Sequence, residues 1–301
     1  CTSIAKQRPE GGWLWKISGN GLSHPSYLFG TYHGTYDILY QYTDSIPELH
    51  QAFNACSQFA GESETTSKPT PAQVGAAIKL PKDTTYADLL NKEDFHFLDS
   101  IVRQSLKSPL NKVYIKPNFL ALILGEIEKG KKLVDTGYSQ SRIDSMKSQV
   151  MDIALEKKAK EKGLTIVGLE GIFDAFVSEK SNLKKEADEL ISDLREDDEI
   201  SPLSFVNTLS DVYRTQNMKS LINFEVKVDS IFRTSPKLTE IGKRIREDLL
   251  KRRNLNWMNK IPELMKAQPT FIAVGVRHLP GKDGLIALLL EKGYQVEPIG
   301  L

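Results

Sequence analysis

Six short runs rich in β-branched, aromatic and other apolar residues, at 13–18, 27–31, 56–61, 164–169, 271–276 and 294–299, constrain this chain more than any other feature. Each has the length of a strand rather than a helix. Three fall before residue 62 and two after residue 270, with long helical patterns between. A sheet must therefore be assembled from both ends of the chain. That predicts an α/β fold: a mixed sheet formed by N- and C-terminal segments with large helical insertions. Trp13-Leu14-Trp15-Lys16-Ile17-Ser18 is followed by Gly19-Asn20-Gly21, so the first two runs read as a hairpin. Pro47, just behind Ser45, suits the first turn of a helix that leads into 56–61. The amphipathic stretch 146–162 stops at Gly163 and feeds 164–169, and a helix over 284–292 stops at Gly293 before the last strand.

The insertions are expected at about 70–132, punctuated by Pro81, Pro109 and Pro117, and at about 178–267. In the first, 119–124 reads as buried helix. In the second, Ile241, Ile245 and Leu249 share one helical face. The acidic run 196–199 reads as a solvated face or loop. The domain expectation is a tether over 1–12 and a single α/β domain over 13–301.

With 40% hydrophobic and 26% charged residues among 301, the chain has a globular composition and enough length for a sizeable core. A net charge of +1 gives no global field toward nucleic acid or an anionic membrane, so a function must come from a local site. The longest apolar stretches, 119–124 and 285–290, are far short of the roughly 18 residues that span a bilayer. Cys1 opens the sequence. It either follows removal of a signal peptide, as in bacterial lipoproteins, with lipid as the sole link to an envelope membrane, or marks a chosen starting point. Cys56, inside an apolar run, reads as a small buried hydrophobe.

Four potential metal ligands stand in one kind of position. His33, Glu62, Glu170 and His278 each lie just after an apolar strand. In open α/β sheets ligands bind outside the carboxyl ends of the strands, so these side chains converge if the strands run side by side and parallel. Two imidazoles and two carboxylates suit a divalent ion such as Mn, Co, Zn or Fe and leave room for an activated water. Each also has a plainer reading, as a hydrogen-bonded structural histidine or a helix-capping glutamate. Glycine precedes both histidines at the same spacing, in Gly30-Thr31-Tyr32-His33 and Gly275-Val276-Arg277-His278, where a tight backbone bend is expected. His24, His50 and His96 carry no assigned role. No Gly-x-Ser-x-Gly elbow or glycine-rich phosphate loop occurs.

These residues carry a resemblance. Leu14-Trp15-Lys16-Ile17-Ser18-Gly19 with Ser26 to His33, Asp152 to Ala159 with Gly168-Leu169-Glu170, and Arg253-Asn254, Trp257, Phe271 to Gly275, His278-Leu279-Pro280-Gly281 and Gly293 to Val296 resemble the opening, central and closing motifs of the TraB/GumN family. The resemblance implies kinship with the Tiki metalloproteases and a divalent-metal site at His33, Glu62, Glu170 and His278. Two departures stand out: Arg277, where the family often has a small residue, and Gly171, where it often has threonine. Arg253 and Asn254 read as orienting residues at least as readily as catalytic ones.

The expected function is a metal-dependent hydrolase, a peptidase acting on peptides or proteins, with Glu62 or Glu170 as base and Arg277 at an oxyanion. Two alternatives stay open: a haem- or metal-binding envelope protein, and an interaction protein that has lost turnover.

Overall fold

The computed structural model describes residues 11–34, 36–64, 69–174, 182–195 and 202–300. Expectations for residues 1–10, for the acidic run 196–199 and for the start of the second insertion at 178–181 lie outside them. Gly11 and Gly12, the last residues of the expected tether, are buried: Gly11 accepts from the Met218 amide at 2.7 Å and Gly12 from the Trp15 indole at 3.1 Å. Their carbonyls are used by the core, so the chain is already packed before the first strand.

Six strands form one sheet: β1 (Leu14–Ser18), β2 (Ser26–Thr31), β3 (Gln58–Gly61), β4 (Thr165–Gly168), β5 (Thr270–Gly275) and β6 (Gln295–Ile299), in the order β4-β3-β5-β2-β1-β6. β1 and β2 are the expected antiparallel hairpin. Its turn is made by Gly19, Asn20 and Gly21, all with positive φ. β1 also pairs antiparallel with β6, whose Pro298 is tolerated because β6 is an edge. The other contacts are parallel: β2 with β5, β5 with β3, and β3 with β4. Thr31 is level with Gly275, and Gly61 with both Ala273 and Gly168, so four parallel strands end together. Every residue of β5 and β3 is buried, as continuous apolar runs require when both faces are covered.

Local signals set the helix ends. Pro47 opens the helix Pro47–Asn54. The helix Met151–Glu161 closes at Gly163, φ 72°, with Leu164 N–H donating to the Ala159 carbonyl at 2.9 Å, a Schellman closure. Leu285–Glu291 closes in the same way at Gly293. One helical expectation changes. The pattern over 146–162 is two helices, Gln140–Ser148 and Met151–Glu161, separated where the Gln149 carbonyl accepts from the Tyr40 amide. Of Ile241, Ile245 and Leu249, the first two are half-buried and Leu249 is exposed. The α-helix Pro236–Arg244 passes into a π-helix over Ile245–Lys251.

The chain divides into two compact units. The first comprises Cys1–Ser67, Met146–Ile172 and Pro202–Leu301, holds the whole sheet, and is centred on residues such as Trp13, Phe29, Phe59, Trp257, Phe271 and Ile272. The second comprises Lys68–Ser145 and Phe173–Ser201, is helical, and has its own core, including Tyr86, Leu98, Val102, Leu110 and Leu120. The division takes residues up to 201 from the second expected insertion and leaves 202–267 with the sheet.

Candidate active site

All four residues singled out from the sequence sit at the carboxyl edge of the parallel strands. His33 follows β2, Glu62 follows β3 directly, Glu170 lies two residues past β4, and His278 closes the 3-10 turn Val276–His278 after β5. Backbone pairing carries on past the strands: Glu170 N–H donates to the Glu62 carbonyl at 2.9 Å. The two glutamates are thus lateral neighbours by construction of the sheet.

What gathers them is Arg253, on the helix Arg252–Trp257 just past the π-helical segment. Its Nε donates to Glu170 Oε1 at 2.9 Å and Oε2 at 3.1 Å. Its Nη2 donates to Glu62 Oε2 at 2.6 Å and also to Glu170. Its Nη1 reaches His278 Nε2 at 3.2 Å. A guanidinium only donates, so His278 Nε2 accepts and the proton sits on Nδ1, which donates to Asn254 Oδ1 at 2.7 Å. Asn254 is fixed in turn by donating to the carbonyls of His278 and Asp283. Trp257 completes the wall: its indole N–H donates to Glu170 Oε2 at 3.0 Å, and the Arg253 guanidinium lies 4.7 Å from its ring centroid.

The electrostatics follow from these contacts. Burial lowers the His278 imidazolium, Glu62 opposes this, and the charges of Arg253, His33 and Arg277 add to the lowering, which leaves it at about 3 and the ring neutral. Burial would raise the Glu62 carboxyl, but His278 once protonated at low pH, together with Arg253, His33 and the Gly275 N–H, which donates at 2.7 Å, holds it at about 2.

His33 belongs to a second pair, with its Nδ1 3.2 Å from Asp152 Oδ2. The other Asp152 oxygen accepts from the Thr31 hydroxyl at 2.7 Å. Crowding lowers the His33 imidazolium, but Asp152 and Glu62 outweigh it and raise it to about 9, with the ring still about half exposed. His33, Glu62, Asp152 and buried Glu156 line a cleft of about 200 Å³. Asp152 and Glu156 stand one turn apart on Met151–Glu161, and Glu156 is buried with the apolar residues of that helix. An acidic residue in the buried stripe was the available sequence signal for this side of the cleft.

Arg277 has a different partner from the one its neighbourhood in sequence suggests. Its Nε and Nη2 donate to the two oxygens of Glu225 at 2.6 Å and 2.9 Å, so the guanidinium expected at an oxyanion is engaged by a carboxylate. Its charge still acts on His278.

The glycines of the two Gly-x-x-His segments serve space rather than a bend. Gly275 has φ −51°, open to any residue. A Cβ there would meet Glu62 Oε1 and His33 Cε1, each at 3.2 Å, while one on Gly30 would lie 2.8 Å from the Val276 side chain.

The resemblance implies a divalent metal here, and the arrangement does not fit one. Three of the four proposed ligands are bonded to Arg253, and among the described residues no group of three or more His, Cys, Asp or Glu is disposed to hold a metal ion.

The fold and site define a class: an α/β protein with two Gly-x-x-His segments and two glutamates at the carboxyl edge of four parallel strands. The chain belongs to the TraB/PrgY/gumN family, whose model matches residues 13–298. It is similar to the metalloprotease TIKI2 of Danio rerio, 22% identical over 332 residues that take in 99% of this chain and 62% of that protein. The chain thus spans less than two thirds of that relative's length. No solved structure matches.

Proposed function

We propose that this chain is a hydrolase that cleaves peptide bonds in peptides or proteins. The observation that carries the reading is the pair His33 and Glu62 on one cleft, held in opposite protonation states. Near neutral pH His33 is protonated, steadied by Asp152, and Glu62 is ionised. Groups whose environments push them apart in this way divide acid and base work. Glu62 orients and accepts from the attacking water, and His33 gives its proton to the leaving amine nitrogen. A cleft of about 200 Å³ is smaller than the roughly 300–1,000 Å³ that encloses a small ligand, which favours an extended chain lying across it over an engulfed haem.

The test is cleavage of a peptide library by purified protein, with and without added Mn, Co or Zn. The parent is expected to cleave, and turnover to fall as pH rises through about 9, where His33 loses its proton. His33→Ala should lose about 10²–10⁴-fold. A parent that cleaves nothing in any condition, or a His33→Ala variant with unchanged turnover, defeats this reading.

A further inference from the structure

We infer that Arg253 is the resident cation of this site and takes the place that a divalent metal ion would need, so that no metal binds alongside its guanidinium. One side chain, 10% exposed, bonds to both glutamates and to His278 Nε2. The Nε2 lone pair is the one that a metal would require, because Nδ1 is committed to Asn254. Two cations within a few ångströms repel strongly in so dry a place. With the guanidinium in place, the lone pairs of both carboxylates and of His278 that would hold a metal are already taken. The position is built for a guanidinium, stacked on Trp257 and bonded to the Leu249 carbonyl at 3.4 Å. That carbonyl lies in the π-helical segment Ile245–Lys251, an irregular turn of the kind found at functional sites.

The inference stands on the geometry alone, and its test reads binding rather than turnover, so it and the hydrolase reading fail separately. Mn²⁺ and Zn²⁺ are titrated calorimetrically into the wild type, Arg253→Ala and Arg253→Lys, with circular-dichroism melts to verify folding. Arg253→Ala is expected to bind metal about tenfold more tightly than the wild type, or better. Guanidinium chloride at a non-denaturing concentration, against matched sodium chloride, should weaken binding to Arg253→Ala and leave the wild type unchanged. Should Arg253→Ala not fold, Arg253→Lys decides: an ammonium cannot span both carboxylates and His278, so it too should bind metal more tightly than the wild type. Variants that bind metal no better than the wild type, or a folded Arg253→Ala indifferent to guanidinium, overturn the inference.

Discussion

At the scale of single residues the site is a set of charges whose protonation is fixed by burial and by each other, and that fixes how stability responds to acid. Unfolded His278 takes up a proton near its ordinary value of 6.5, whereas the folded ring refuses it down to about 3. The unfolded state therefore binds more protons across that window, and stability falls as pH drops through it, by on the order of 1 kcal/mol per pH unit. Glu62 adds in the same direction from 4.5 down to about 2. His33 acts oppositely above 6.5, weakened by its half-exposed ring. Urea melts of metal-free protein at pH 7, 6 and 5 check this. A flat profile would mean that His278 titrates normally, and His278→Gln should flatten the upper part of the slope. The four edge residues were legible in the sequence because a residue's place just after a strand is a local property. Arg253 was legible as an orienting residue at least as readily as a catalytic one. Its partners lie 83 and 191 positions away, and no local pattern says which carboxylates a helix will face. Adjacency to His278 drew attention to Arg277 instead, which the fold turns onto Glu225.

At the scale of elements, the repeated Gly-x-x-His segment is a spacing device between neighbouring strand ends. Gly30→Ala forces a Cβ against Val276, at 2.8 Å from its side chain and 3.1 Å from its Cα, and should cost about 1–3 kcal/mol. Gly275→Ala meets Glu62 and His33, whose side chains can give by a few tenths of an ångström. Its melting temperature should fall less than that of Gly30→Ala, while turnover falls more. Equal loss of stability in both variants would refute this division. All six strands were legible from composition and length, and the helix stops at Gly163 and Gly293 from a residue type that tolerates positive φ. The π-helical segment was not. Nothing in a 3.6-residue pattern announces where the winding widens.

At the scale of the whole molecule, two cores in two units give the chain more than one way to open. Cys56 is a probe of the first. Its thiol is buried, donates to the Ala52 carbonyl at 3.4 Å, and is pushed up to about 12 by burial, with Lys162 opposing. In a Cys1→Ser background, Cys56 should react with a thiol reagent only at the rate at which the sheet unit unfolds. Rapid labelling under native conditions would show that the helix Pro47–Asn54 opens independently.

The strand order also has a consequence for how the chain reaches this state. β5 lies between β3 and β2, yet it is made some 200 residues after β3. Until it arrives, the two halves of the sheet each present an unpaired edge, the hairpin on one side and β3 with β4 on the other. Synthesis at about 5–20 residues per second leaves those edges open for ten seconds or more. The central strand is a late-arriving keystone, and the nascent chain has to be shielded from its own neighbours before the site at that edge can exist.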